Sequence, residues 1–131
     1  MNLPNSKQPI IILGWTRSFT DWAWLREKGV GACSDRCTFT TDRSLILNAS
    51  AVVFCCGAVY WNDVPSVRIP SQRYVFDALE SAINIYVDWS TLKDQRARHF
   101  FNWTNTYRRD SHIFAPYGVF LKRTGTVFTR I

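Results

Sequence analysis

Three runs rich in apolar residues constrain the fold of this chain more than any other feature. They are Pro9 to Trp15, Ala49 to Cys56 and Arg73 to Glu80. The first two are continuous, as is typical of strands buried on both faces of a parallel sheet. The third is also predicted to be a strand, but Asp77 lies among its apolar residues. Because an unpaired buried carboxylate is costly, we expect Asp77 to have a partner or to lie at an edge.

A helix and a fourth strand are predicted further along the chain. Asp88 to Phe100 places apolar residues on one face and charged residues on the other, and Asp88 or Ser90 can cap its start. From Phe101 to Tyr107 the side chains alternate between two faces, as in a strand. The order strand, connection, strand, connection, strand, helix, strand predicts an α/β fold with a mainly parallel sheet flanked by helices.

The remaining segments are predicted to be connections. In the loop from Phe39 to Ser44, Asp42 and Arg43 predict either a simple surface ion pair or a support for a loop beside a cleft. Arg108 and Asp110 predict a second ion pair. The other connections are a helix or aromatic loop (Thr16 to Lys28), a loop (Gly29 to Cys37) and a turn-rich segment (Val59 to Pro70).

Length and composition indicate one globular domain. The chain has 131 residues, of which 47% are apolar and 20% charged, so it can bury a core and is not disordered. Its net charge of +6 is compatible with binding nucleic acid or another phosphate, but the basic residues are scattered. No run of about 18 apolar residues occurs, and the first eight residues do not resemble a signal peptide, so no membrane span is predicted here.

The cysteines and two short motifs bear on the cellular compartment. Cysteines at positions 33, 37, 55 and 56 have poor spacing for zinc, because adjacent cysteines rarely direct both thiolates at one ion. No metal site is therefore predicted. Asn48 and Asn102 each begin an N-x-S/T tripeptide, an acceptor for N-linked sugar in the secretory pathway, where disulfides persist.

The stretch from Phe100 to Gly118, FFNWTNTYRRDSHIFAPYG, carries a more specific signal. Its ordered pieces FNWT, TYRRDS, IF and PYG resemble the signature of the α-1,3-fucosyltransferase family, glycosyltransferase family 10. His112 stands where the family usually carries aspartate, and Asn105 stands where it has methionine. The closing turn can hold Tyr117 in a fixed pose, because proline limits φ and glycine frees it.

Other parts of the chain resemble the same family. Trp15-Thr16 resembles the end of its first strand, Phe39 to Ser44 its T-x-D-R-S stretch, and Gln72 to Ser81 its Q-R-W-x-x-F-S-L-E-S-P motif. The sequence also departs from the family pattern, with Cys55 to Ala58 in place of a His-His-Arg-Asp tetrapeptide, Asp77 in place of a hydrophobic residue or serine, and Ala82 in place of proline.

The resemblance implies roles for individual residues. Glu80 corresponds to the family's proposed general base, which takes the proton of a glycan hydroxyl as fucose is transferred from GDP-fucose with inversion. Tyr117 is implied to lie near the donor cleft. Arg108 and Arg109 are weaker candidates for substrate binding, equally explained by pairing with Asp110. GDP-fucose is the implied donor, no cofactor is implied for this domain, and the need for a divalent metal stays open.

The resemblance also implies covalent modifications. In the family, the neighbourhoods of Asn48 and Asn102 are glycosylated in some members, and cysteines near Cys33 and Cys37 form disulfides. Some of those disulfides run to cysteines late in the full-length chain, which this sequence lacks. Cys33 and Cys37 therefore either pair with each other or stay free.

The implied organisation is the amino-terminal, acceptor-side half of a GT-B glycosyltransferase with a Rossmann-like sheet. We expect a polar lead over residues 1–8, the domain over 9–118 and an extension over 119–131. In the full-length family, a membrane anchor precedes this region and a donor-binding domain follows it. The expected partners are therefore a glycan acceptor and that second domain, on the lumenal side of the Golgi membrane.

Two other classes of function stay open. A lectin-like or catalytically inactive domain would keep the fold and lose fucose transfer, and the departures at Cys55 to Ala58 and at Ala82 favour it. A nucleic-acid binder would use Tyr107, Arg108 and exposed tryptophans, and its binding would depend steeply on salt. We do not expect nucleic acid as a partner, because the basic residues are scattered.

Overall fold

The computed structural model describes residues 9–17, 22, 33, 36–55, 59–81, 83–84, 93–118 and 120. The helices in these ranges are a 3₁₀ helix (Arg43–Asn48) and a short α-helix, α1 (Ala97–Phe100). The strands are β1 (Ile10–Gly14), β2 (Cys37–Thr40), β3 (Ala51–Cys55), β4 (Arg73–Ala78), β5 (Trp103–Thr106) and β6 (Ile113–Phe114).

The six strands form one sheet in the order β2-β1-β3-β4-β5-β6, and every neighbouring pair is parallel. From β1 the chain moves outward to β2, then crosses back over β1 to β3 and continues in the opposite direction. This reversal of direction is typical of Rossmann-like sheets. The predicted α/β class with a parallel sheet is therefore confirmed.

Four of the six strands were predicted and two were missed. The apolar runs contain β1, β3 and β4, and the predicted alternation beginning at Phe101 contains β5. Strand β2, with sequence CTFT, was predicted as part of two loops, and that prediction is wrong. It is short, polar and only partly buried at the edge of the sheet, so it lacks a long apolar signal. Strand β6 has two residues, too few for any periodicity.

A helix is predicted over Asp88 to Phe100, and in the described part of this segment, from residue 93 onward, the observed helix is shorter than predicted. Residues 94–96 form a turn, and only Ala97–Phe100 form a continuous helix. The Asp94 carboxylate accepts hydrogen bonds from the backbone N–H of Arg96 (2.8 Å) and from its guanidinium (2.6 Å). Such local side-chain bonds compete with helix formation. The predicted caps at Asp88 and Ser90, most of the segment Thr16 to Lys28 and most of the extension 119–131 lie outside the described residues.

Aromatic packing on one face of the sheet forms the core. Val52 and Phe54 of the central strand β3 are fully buried. The Phe54 ring lies 5.5 Å from Tyr74 of β4, 5.3 Å from Phe100 and 5.6 Å from Phe101, measured between ring centroids. Because a fully buried aromatic side chain contributes about 2–3 kcal/mol, this cluster fixes α1 and the start of β5 against the sheet.

Asn102 joins β4 to β5 where β5 begins. Its backbone N–H donates to the Tyr74 carbonyl oxygen (2.8 Å), and its side-chain Oδ1 accepts from the Tyr74 N–H (2.8 Å). Arg68 also donates to Asn102 Oδ1 (2.8 Å) and stacks over the Tyr74 ring at 4.2 Å. One asparagine side chain thus takes the place of a backbone carbonyl in the sheet ladder.

Tyr74 places a polar group in the core. The residue is 1% exposed, and its hydroxyl has no hydrogen-bonding partner among the described residues. Burial raises the pKa of the Tyr74 phenol, and the nearby Arg68 cation partly offsets this rise. The hydroxyl therefore bears a desolvation cost without a compensating bond.

Replacing Tyr74 with phenylalanine should stabilise the fold. The Tyr74→Phe variant removes the unsatisfied hydroxyl and keeps the ring, so we expect the free energy of unfolding in urea to rise by about 1 kcal/mol. Tyr60, which is 63% exposed, provides the matched control, since Tyr60→Phe should change stability by less than about 0.5 kcal/mol. A destabilised Tyr74→Phe protein would show that the hydroxyl has a partner.

Asn102→Ala should have the opposite effect. It leaves the Tyr74 N–H without an acceptor, so we expect a loss of about 1–3 kcal/mol in urea unfolding. Protein from a host without N-glycosylation should be used, so that loss of the sugar acceptor does not contribute. The exposed Asn62, changed to alanine, is the control. Equal stabilities of the two variants would contradict the bridging role of Asn102.

Candidate active site at the carboxyl edge of the sheet

All six strands run in one direction, so the residues that follow them meet at one edge of the sheet. In open α/β sheets this edge is where ligands bind. Polar and aromatic side chains follow most of the strands. They are Trp15 and Thr16 after β1, Thr41 after β2, Glu80 shortly after β4, Tyr107 and Arg108 after β5, and Tyr117 shortly after β6.

The predicted base and the predicted donor-side residue are hydrogen-bonded to each other. Glu80 is exposed, two residues beyond the end of β4. The Tyr117 hydroxyl donates to Glu80 Oε1 at 2.6 Å. This bond to a carboxylate, followed by partial desolvation and the carboxylate's charge, raises the pKa of the Tyr117 phenol. Strands β4 and β6 flank β5 and lie about 10 Å apart, so the pair spans the end of β5.

Backbone and loop contacts position Tyr117. The N–H of Ala115 donates to the Thr106 carbonyl oxygen (2.9 Å), which fixes the chain just beyond β6. The loop that joins β5 to β6 is closed by hydrogen bonds of the Thr106 hydroxyl, with the Ser111 hydroxyl and with the Arg108 N–H. Parallel neighbours usually need a longer crossover. Here six residues suffice, because β6 is short and begins opposite Asn105.

The two arginines predicted to bind substrate lie in this loop. Arg108 forms two hydrogen bonds with the Asp110 carboxylate, at 2.8 and 2.6 Å, as the alternative explanation predicted. The contact lowers the pKa of Asp110 and raises that of Arg108. The Arg108 and Asp110 side chains are 65% and 67% exposed, and Arg109 is exposed as well. Both guanidinium groups are therefore open to solvent on the same edge as Glu80.

A second feature of this edge is a cluster formed by Trp15, Arg43 and Asp63. Arg43 binds the Asp63 carboxylate through two nitrogens at 2.7 and 2.9 Å and lies 4.2 Å above the Trp15 ring. The predicted Asp42–Arg43 ion pair is therefore wrong. The Asp42 carboxylate instead accepts from the Ser44 N–H (3.0 Å) and caps the 3₁₀ helix. The hydrogen bonds from Arg43 lower the pKa of Asp63.

This cluster borders a cavity of about 250 Å³ at the ends of β1 and β2. The cavity is lined by polar, cationic and indole groups, from Gly14, Trp15, Thr16, Arg17, Trp22, Thr41 and Arg43. Its Thr16 hydroxyl accepts from the backbone N–H of Cys55 (2.7 Å), at the end of β3. Residues 56–58, which complete the segment departing from the family tetrapeptide, lie outside the described residues.

Asp77 has the partner that the sequence led us to expect. Asn105 lies directly opposite it on β5 and donates from Nδ2 to Asp77 Oδ1 at 2.8 Å. Asp77 and Asn105 are both positions at which the sequence departs from the family pattern. Burial raises the pKa of the Asp77 carboxyl, and the bond from Asn105 partly counteracts the rise. The Asn105 Oδ1 is buried without a partner among the described residues.

The remaining predicted residues are placed as follows. Cys33 and Cys37 form a disulfide, with Cα atoms 5.2 Å apart, and Cys55 is disulfide-bonded as well. Asn48 and Asn102 are exposed.

Within the described ranges, no group of three or more His, Cys, Asp or Glu side chains is arranged to hold a metal ion. None of the helices described has the length and hydrophobicity needed to cross a membrane.

Comparison with known proteins identifies the family. Residues 7–118 match the family model for the fucosyltransferase N-terminal region. The chain belongs to the fucosyltransferase family. Sequence reasoning had placed Glu80 and Tyr117 in this family's site, but it missed the roles of Asp63 and Asn105. Asp63 carries no signal in the sequence beyond its charge, whereas Asn105 stood out as a departure from the family signature.

Three relatives illustrate the extent of the match. The first, from Bos taurus, is named 3-galactosyl-N-acetylglucosaminide 4-alpha-L-fucosyltransferase FUT3 and is 33% identical over 125 residues, covering 84% of this chain and 30% of the relative. Alpha-(1,3)-fucosyltransferase 7 from Bos taurus is 38% identical, covering 69% and 25%. 4-galactosyl-N-acetylglucosaminide 3-alpha-L-fucosyltransferase 9 from Mus musculus is 38% identical, covering 63% and 22%. This fucosyltransferase chain thus spans less than a third of the length of these relatives.

The pH dependence of folding should distinguish the two carboxylates whose pKa values shift in opposite directions. The pKa of Asp77 is raised on folding, so its favourable contribution is fully present below the unfolded pKa, near 3.9, and is lost as pH rises through the folded value. Relative to Asp77→Asn, the natural protein should therefore lose stability as pH rises from about 3 to 7. Urea unfolding across this range measures the difference.

Asp63→Asn is the matched control, with the reverse sign. The pKa of Asp63 is lowered on folding, so its contribution is present above the unfolded pKa and is lost as pH falls through the folded value. Relative to Asp63→Asn, the natural protein should lose stability as pH falls. Parallel pH profiles for the natural protein and Asp77→Asn would contradict the burial of the Asp77 carboxyl.

Proposed function

We propose that this chain is the acceptor-side part of an inverting fucosyltransferase that transfers fucose from GDP-fucose to a glycan hydroxyl in α-1,3 linkage. The observation that carries the proposal is the exposed carboxylate of Glu80 at the carboxyl edge of a parallel sheet, in a chain of the fucosyltransferase family. The names of the relatives support a galactosyl-N-acetylglucosaminide as the acceptor class.

Glu80 is proposed to act as the general base. One Glu80 oxygen takes the proton of the acceptor hydroxyl while the hydroxyl oxygen attacks the anomeric carbon of fucose. The bond from that carbon to the β-phosphate oxygen breaks on the opposite face, and GDP leaves with the bonding electrons. The geometry suits this role, because Oε1 is held by Tyr117 and Oε2 accepts no hydrogen bond from a described residue.

Charge on the departing diphosphate needs cationic or backbone donors. Arg108 and Arg109 are proposed to contribute to substrate binding, since both are exposed beside Glu80's strand, and Tyr117 is proposed to border the donor site. The rest of the donor site is proposed to lie in a second domain. No cofactor is proposed for the acceptor-side domain, and a divalent metal has no proposed ligand in it.

The proposed setting is the lumenal side of the Golgi membrane. An oxidising compartment fits the Cys33–Cys37 disulfide, since such bonds persist along the secretory pathway. The exposed Asn48 and Asn102 are proposed glycosylation sites. The proposed domain limits are 9–118, with a lead over 1–8 and an extension over 119–131.

Substitution of Glu80 tests the proposal. Because the chain spans less than a third of its relatives, the assay uses a chimaera in which it replaces the matching segment of the Mus musculus relative. Glu80→Gln keeps the shape of the side chain and removes the base, so turnover with GDP-fucose and a galactosyl-N-acetylglucosaminide should fall about 10²–10⁴-fold. The isolated chain of 131 residues should show no transfer.

Asp42→Asn is the control, because it neutralises another exposed carboxylate that follows β2 at the same edge, and asparagine caps a helix as well as aspartate does. It should change turnover by less than about threefold, the scale of a minor surface substitution. Near-normal turnover of the Glu80→Gln chimaera would remove Glu80 from the mechanism. A chimaera that binds the acceptor glycan without any transfer would support the lectin-like alternative instead.

A further inference from the structure

Glu80 has two oxygens in different surroundings. Oε1 accepts the Tyr117 hydroxyl at 2.6 Å, within the range of charge-assisted O–H···O⁻ bonds, and Oε2 has no donor among the described residues. A carboxylate on an exposed side chain rotates freely unless something holds it, and a general base works only when its oxygen is held within reach of the proton. Glu80 meets this requirement, because the Tyr117 hydroxyl holds Oε1 and leaves Oε2 to face the proton of an acceptor.

The anchor comes from a separate part of the sheet. Tyr117 lies beyond β6, where the Ala115 N–H bond to Thr106 fixes the backbone and Pro116 restricts φ. The phenol reaches over the end of β5 to the residue that follows β4. Glu80 is therefore held by a group whose position depends on β5 and β6 and not on β4 alone.

Tyr107 shows that this contact is specific to Tyr117. Tyr107 directly follows β5, between the two partners, and is 39% exposed. Its hydroxyl makes no hydrogen bond with another residue in the described ranges. Tyr107 lies nearer to Glu80 in the strand order, yet among the described residues it is the more distant Tyr117 that donates to the Glu80 carboxylate.

We propose that Tyr117 is a positioning residue for the general base. Its hydroxyl holds Glu80 Oε1 and orients the carboxylate, so that Oε2 is the oxygen that takes the acceptor proton. The catalytic part of this inference rests on the proposed function of Glu80, whereas the coupling between the two side chains does not. The raised pKa of the Tyr117 phenol, caused first by its bond to Glu80, is consistent with the coupling.

The first experiment measures the coupling in the chain as it stands. Phenolate absorbance is titrated at alkaline pH for the natural chain, which has five tyrosines, and for Tyr117→Phe, and their difference isolates the Tyr117 transition. We expect this transition above the usual value of about 10, and we expect the same difference in a Glu80→Gln background to shift to lower pH. An unmoved Tyr117 transition would overturn the proposal.

The second experiment uses the chimaera described above. Tyr117→Phe keeps the ring and removes the anchor, so kcat should fall about tenfold or more, with an acceptor KM within about twofold of the parent. In the Glu80→Gln background the same change should have no further effect, because the two residues act as one unit. Tyr60→Phe, which removes the hydroxyl of another exposed tyrosine, should leave both constants unchanged.

The outcomes separate the two proposals. If Glu80→Gln abolishes turnover and Tyr117→Phe does not lower it, the positioning role is overturned and the function of Glu80 stands. If neither change lowers turnover, both catalytic roles are overturned, even where the titration shows coupling. The positioning role would also be overturned if the double variant lost as much kcat as the two single effects combined. Tyr117 would then act independently of Glu80.

Discussion

The parallel pairing of β3 with β4 is the contact on which the rest of the structure depends. It aligns five residue pairs, from Ala51 opposite Arg73 to Cys55 opposite Asp77. This register places Phe54 and Tyr74 on the same face, where their rings pack together. A slip of one residue would exchange the two faces of β4, expose Tyr74 and direct Asp77 into the aromatic core. Burial on one face thus fixes β4, and β4 in turn delivers Glu80 to the carboxyl edge.

The central strands could be predicted from the sequence because each is a long apolar run with no competing pattern. The peripheral strands could not, since their pairing depends on contacts that no local pattern encodes. β2 has four residues, CTFT, of which three are partly buried and Thr38 is exposed, and it pairs with β1. β6 is held by its loop, where the His112 ring bonds to Thr104 and the Ser111 hydroxyl to Thr106. Strand order and register likewise follow from tertiary packing and not from periodicity.

In the candidate site, too, individual residues could be predicted from the sequence, but their contacts could not. Glu80 and Tyr117 were each named from the sequence, but their hydrogen bond joins residues 37 apart, across an intervening strand. Arg43 was assigned to its neighbour Asp42, and that assignment failed for a physical reason. The Asp42 carboxylate is occupied by the Ser44 N–H at the start of the 3₁₀ helix, so Arg43 binds Asp63. The sequence identified the charged residues, but the capping bond of Asp42 could not be predicted from it, and neither could the pairing of Arg43 with Asp63.

The two halves of the Glu80–Tyr117 pair are supported unequally. Glu80 follows a strand whose residues Tyr74, Val75 and Ala78 are at most 5% exposed. Tyr117 follows β6, whose two residues are 42% and 48% exposed and contribute little apolar burial. Segments with few buried contacts open at a lower cost in free energy than the core does. The proposed base is therefore supported by buried residues of β4, while the residue proposed to orient it depends on hydrogen bonds in residues 107–112. Changes in that loop, remote from the core, should consequently alter the site before they alter the fold.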